Sequence, residues 1–257
     1  MAMQRVRRLA SVAVVAAVAV TGLSACRSQP DVAAYTAAGN ITVARVQQVF
    51  DDARDKHNRD ATKQASATPS PGPSDPAAAP ARLPLTGTAV LNVLISHDVL
   101  MRAAQRHKVQ LPSSLPIEGY ASALKLPVDS EYLRLLVEVD ALGGLLAQSA
   151  AGGTLSQADI REIYDRVRAQ NALDANTTPE QFGASLPDEG KKALGTAVTI
   201  RNEVRDDISR QHIRLNPRYQ AFEVPVLSQR AEDGSALVLL AVPVGDRTAS
   251  APVTDVD

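Results

Sequence analysis

Apolar positions in this chain recur mostly at helical spacing. The densest block follows Thr86 and Thr88, either of which supplies an N-cap hydroxyl for a helix running to about Lys108. Val90, Leu91, Val93, Leu94, Ile95, Val99, Leu100, Met101, Ala103 and Ala104 cover most of its circumference, which predicts a central helix. Upstream, Thr42 caps a helix on which Val43, Val46 and Phe50 share a face, with Ile41 placed to pack on Val46. Arg45 stands where a capping box wants glutamate, and the helical signal fades near Lys56. Downstream, Ile117, Tyr120, Ala121 and Leu124 predict a short amphipathic helix that stops before Pro127. Asp129 or Ser130 opens the next, with Tyr132, Leu135, Leu136, Val139, Leu142 and Leu146 as its stripe. Gly143-Gly144 interrupts that stripe, a sign of close packing or a kink. Ser156 to Asp159 is a capping sequence ahead of Ile160, Ile163, Tyr164 and Val167. Pro179 to Leu186 gives a turn or two of helix. A long helix then runs from about Asp188 to about His212 on Ala193, Ala197, Ile200, Val204 and Ile208. Its Arg201, Glu203, Arg205, Asp206 and Asp207 read as a solvated face.

Strand patterns are confined to the two ends. Asp31 to Thr36 reads as a short strand, followed by a turn over Ala37 to Asn40. Ala221 to Ser228 and Ala236 to Val242 are rich in Val and Leu and suggest a hairpin, with Pro225 pushing the first strand to a sheet edge. Residues 61–84 are rich in Ala, Pro, Ser and Thr without apolar periodicity, and residues 244–257 are polar; both are expected to be disordered. The prediction is a mainly α domain with a small β element: residues 26–60 and 85–243 form one body, and 61–84 is an insertion within it.

The first 25 residues stand apart. Arg5, Arg7 and Arg8 precede an apolar run from Leu9 to Thr21, too short to span a bilayer, which takes roughly 20 residues. This is the anatomy of an export signal. Its last residues, Leu23-Ser24-Ala25-Cys26, resemble the lipobox of bacterial lipoproteins. That resemblance implies cleavage between Ala25 and Cys26, lipidation of Cys26, and a mature protein anchored on the extracytoplasmic face of the cell membrane. Cys26 is the single cysteine, so its acylation leaves none for a disulfide or a thiolate metal site. The leader removes three arginines and no acid, which leaves the rest net acidic. No basic-aromatic pattern points to nucleic acid. Aromatics make up 3% and tryptophan is absent, which argues against a sugar platform.

Four stretches, in order, resemble the N-terminal domain of SurA-type chaperones: Val32-Ala33-Ala34-Tyr35 to Gly39-Asn40-Ile41-Thr42, Val90 to Gln110, Leu155 to Tyr164-Asp165, and Leu215-Asn216-Pro217-Arg218-Tyr219. The last is similar to a motif of SurA-like lipoproteins from high-GC Gram-positive bacteria, with Gln220 in place of a glycine. The resemblance implies a mostly helical domain whose opening strand, Val32 to Tyr35, pairs with a strand after the last long helix, here Phe222 to Leu227. It also implies a client-holding role toward unfolded or extended exported polypeptides. SurA and PrsA carry a parvulin-type prolyl isomerase as well, which needs on the order of 100 residues, an ordinary small-domain size. The chain after Leu215 is too short for one.

Candidate chemistry is sparse. His97 lies in line with Val90, Leu94 and Met101 and reads as a packed neighbour of the core rather than a ligand. Glu131 and Glu138 read as exposed partners of nearby arginines on their own helix. No nucleophile-base order, metal cluster or phosphate loop is apparent, so no catalytic residue, metal, cofactor or small-molecule ligand is expected. Tyr120, Tyr132, Phe182 and Met101 are the candidate client contacts, each with plain core packing as its competing explanation. Three functions remain open: a lipid-anchored holdase, an adaptor or structural lipoprotein docking one partner, and a prolyl isomerase.

Overall fold

Thr86 is the residue that caps the central helix. Its hydroxyl accepts the Ala89 N–H at 3.2 Å in a computed structural model that describes residues 29–67, 82–150, 152–230 and 236–245. In chain order the elements are β1 (Val32–Tyr35), β2 (Ile41–Thr42), α1 (Val43–Ala67), α2 (Gly87–His107), α3 (Ile117–Leu124), α4 (Glu131–Ser149), α5 (Gln157–Ala169), α6 (Pro179–Ser185), α7 (Asp188–Arg210), β3 (Arg214–Leu215), β4 (Phe222–Arg230) and β5 (Ala236–Val244). The fold is mainly helical with a small antiparallel component. Helix α2 buries Val90, Leu91, Ile95, Val99, Leu100 and Ala103, and packs against α1, α4, α7 and β4. Lys108 ends it in the left-handed conformation, and its N–H returns to the carbonyls of the last turn. One buried cluster extends from Ala33 to Val244.

Ser130 caps α4, and the helix passes through Gly143-Gly144 without a break. A methyl group at Gly143 would lie 2.9 Å from the Val226 carbonyl oxygen, whereas one at Gly144 would meet nothing within 4 Å. Close packing on β4, not a kink, therefore accounts for the first glycine. Gly153 and Gly195 meet backbone to backbone, so that a methyl group on either would overlap the other's carbonyl. The segment after α4 can thus lie directly on α7.

Helix α1 runs further than its apolar residues suggest. The expected fade near Lys56, and disorder from residue 61, do not hold: the helix continues to Ala67. Among the described side chains of the helix, the last one buried is that of Ala53. Beyond it, Lys56 pairs with Asp52 at 2.9 Å within the helix and reaches the Asp129 carbonyl ahead of α4, and Lys63 lies 3.6 Å from Asp60. At the other end of the expected insertion, 61–84, Leu83 packs against the core, so disorder does not hold there either; residues 68–81 and most of the expected tail lie outside the described residues.

The opening strand finds a different partner from the one expected. β1 lies between β2 and β3, with Ala34 opposite Leu215 and Tyr35 opposite Arg214. Phe222 to Leu227 instead belongs to β4, which pairs with β5 in a separate hairpin. Two long strands close in sequence satisfy one another, and β1 takes the short segment that leaves α7. The hairpin's edges are poor templates for further pairing. Pro225 and Pro243 offer no N–H. The Gln170 side chain covers Val238, donating to its carbonyl at 2.9 Å and accepting its N–H at 2.9 Å.

The solvated face expected on α7 is only partly solvated. Arg201 is 4% exposed and reaches Asp159 at 2.7 Å and Glu162 at 2.5 Å on α5. Asp207 is equally buried and accepts from Arg102 of α2 at 3.1 Å. A charge removed from water this far requires such partners.

Candidate functional site

The expected lipidation residue Cys26 and the cleavage position after Ala25 lie outside the described residues, which begin at Gln29. From Gln29 onward the chain is tied down tightly. The Gln29 N–H donates to the Tyr35 hydroxyl at 2.7 Å. Asn216, buried after β3, donates through Nδ2 to the carbonyls of Gln29 at 3.2 Å and Val32 at 2.8 Å. Its own N–H donates to the Ala33 carbonyl at 2.9 Å, and its Oδ1 accepts the Arg218 N–H at 3.2 Å. The Asn216-Pro217-Arg218 stretch is therefore a latch that holds the start of the domain to its far end.

A surface cleft of about 520 Å³ opens between the β1–β2 turn, the start of α1, α2 and α4. Ile41, Leu94 and Leu135 are among its apolar lining residues, and Arg45, His97, Glu131 and Arg134 are among its charged ones. Thr42 caps α1 through the Arg45 N–H at 3.1 Å, which leaves the Arg45 side chain free to cross to α4. There it donates to both oxygens of Glu131, at 2.7 and 3.0 Å. These two hydrogen bonds hold the Glu131 carboxyl below its usual range and push the Arg45 guanidinium up. Two turns further along α4, His97 Nε2 lies 2.8 Å from Glu138, which also takes Arg134 at 2.8 Å. Glu131 and Glu138 are thus half-buried partners of residues on other helices, a correction to their reading as exposed. The Arg134–Glu138 pair does have the expected i,i+4 spacing.

Along the same seam the α1 carboxylate of Asp52 accepts the Glu131 N–H at 2.8 Å, and Lys56 donates to the Asp129 carbonyl at 2.6 Å. Burial works to raise the Asp52 carboxyl, but the Glu131 N–H and Lys56 outweigh it and the net shift is downward. Arg45, Asp52 and Lys56 lie on one side of α1 and grip the first turn of α4. The sequence held one sign of this, the cation at the capping-box position. Their partners lie 73 to 86 residues away and were not legible.

The four candidate client contacts do not converge. Tyr132 is buried in the core, and burial raises its phenol. Met101 packs on the core from α2. Tyr120, on α3, hydrogen-bonds Asp140. Phe182 sits against Tyr164, ring centroids 6.0 Å apart, beside a second cleft of about 650 Å³ that is lined largely by polar residues. Apolar exposure centres on α3 and the turn after it, where Leu124 is 40% and Val128 51% exposed and no side chain of the helix is buried.

Among the described residues, no group of three or more His, Cys, Asp or Glu side chains is placed to hold a metal ion. No helix among them is long and apolar enough to cross a membrane. No protein-family model, curated protein or solved structure matches the chain.

Proposed function

We propose that this chain is a lipid-anchored extracytoplasmic protein, tethered to the cell membrane through Cys26, whose helical domain holds extended segments of other exported polypeptides without catalysis. The observation that carries this reading is the cleft between the β1–β2 turn, α1, α2 and α4. Its apolar residues, Ile41, Leu94 and Leu135, lie within a charged and polar lining. That combination suits an extended chain bound through a few side chains. The topology is compatible with the SurA-like reading, since the opening strand joins a strand that follows the last long helix, although a shorter one than expected.

The test is aggregation suppression. The lipid-free chain from Arg27 onward is added to an unfolding client, and light scattering is followed against an inert control. Dose-dependent suppression near stoichiometric ratio is expected. A folded chain that suppresses nothing sinks general client holding. The result would then favour the second reading, an adaptor for one dedicated partner, for which the small Leu124–Val128 patch is the supporting observation. Turnover of a Xaa-Pro peptide would instead revive the isomerase.

A further inference from the structure

Resting on the reading of Cys26 as the lipidated residue, we propose that the end of the domain carrying Arg214 and Arg218 lies against the membrane and takes the phosphates of anionic lipid headgroups. Gln29 is fixed to the domain through Tyr35 and Asn216. From Cys26 to Gln29 the chain takes three steps, which reach about 10 Å when fully extended. The polar layer on each side of a bilayer is about 5–8 Å deep. A leash this short scarcely clears the headgroups. The domain has no room to stand away or turn over, and whatever surrounds Gln29 meets the lipid.

Two exposed arginines belong to the strand and turn that hold it. Arg214 lies directly across the ladder from Tyr35. Directly opposed residues share a face of a sheet, and the Tyr35 hydroxyl reaches Gln29. Arg218 binds through its N–H the same Asn216 side chain that holds the Gln29 carbonyl. Asp31, two residues after Gln29, is an exposed acid. Arginine's fixed fork matches a phosphate with two parallel hydrogen bonds. At a spacing near the Debye length of roughly 8–10 Å the surface potential still acts. A basic side chain near an anionic leaflet contributes about fivefold in partition. The domain is net acidic as a whole, so these two charges give it a preferred side.

The test uses protein expressed from the full chain and purified from membranes. The mass of its N-terminal peptide, compared with a Cys26→Ser variant, reads lipidation independently of orientation. An unmodified Cys26 overturns both the anchor and this proposal. With Cys26 acylated, a cysteine introduced by Gln220→Cys or Lys63→Cys is the sole thiol and takes a fluorophore. Lys63 lies about 30 Å along α1 from its start beside the sheet. In vesicles of anionic and zwitterionic phospholipid that carry a headgroup-linked quencher, the dye at position 220 is expected to be quenched severalfold more than the dye at position 63. Equal quenching overturns the orientation. Separately, the lipid-free chain is expected to lose about 25-fold in partition onto anionic vesicles in the R214A/R218A variant, provided circular dichroism shows it folded. Unchanged partition overturns the role of the arginines while leaving lipidation intact.

Discussion

Gly143 and Gly144 are neighbours in α4 with opposite requirements. Alanine suits a helix interior better than glycine by about 1 kcal/mol. At Gly144 a methyl group meets open space, so G144A is expected to stabilise the protein by about that amount. At Gly143 the methyl group would press on the Val226 carbonyl, a backbone atom that moves only with the whole strand. Overpacking of this kind costs about 1–3 kcal/mol, which exceeds the gain, so G143A is expected to destabilise. Urea unfolding midpoints of the two variants check both signs. The same scale shows where pattern-reading ended. The glycine pair was visible in the sequence, but close packing and a kink, and which glycine mattered, were separable only once β4 was placed. Arg201 failed differently. Its position on α7 looked solvated because periodicity identifies the apolar face of a helix. It does not show that Asp159 and Glu162 wait on α5 to receive a buried cation.

Between elements, the joint of α1 with α4 is held by charges as well as by Val46, Val49 and Ala53. Glu131, bonded by Arg45 against an opposing effect of burial, titrates below its usual range in the fold. Asp52 does so as well. A carboxyl depressed in the native state binds fewer protons there than in the unfolded chain. Its contribution is therefore complete above the ordinary carboxyl range of about 4 and is lost as pH falls through the lower native value. Urea midpoints are expected to be level near neutrality and to drop below about pH 4. E131Q should lower the neutral midpoint and flatten the acid slope, and an unchanged slope would show that this joint contributes nothing. At this scale the sequence was a good guide wherever the signal was local. The Ser156–Asp159 capping box, the Pro179 turn of helix and the long apolar α2 all form where their local patterns place them. The extent of α1 is not legible in the sequence because, among the described side chains, none after Ala53 is buried to show periodicity. The partner of β1 was missed because two residues, Arg214 and Leu215, carry no strand pattern beside the stronger Phe222 to Leu227 segment.

The molecule as a whole is closed by its ends. Asn216 binds Val32 across 184 residues and Gln29 across 187. Contacts of such separation are slow to form, because nearly the whole chain must be ordered before they meet. Loss of the Asn216 side chain strands the buried Val32 carbonyl at a cost of about 2 kcal/mol. If the latch forms after the main barrier to folding, N216A should unfold roughly thirtyfold faster at an unchanged refolding rate, as stopped-flow urea jumps would record. A slowed refolding limb would place the latch in the nucleus instead. In a chain synthesised from its amino end, this has a consequence in time. β1 emerges at the start, but its clasp is among the last segments of the body to come out. The first strand is thus the longest exposed to proteases during synthesis, and the last to gain protection.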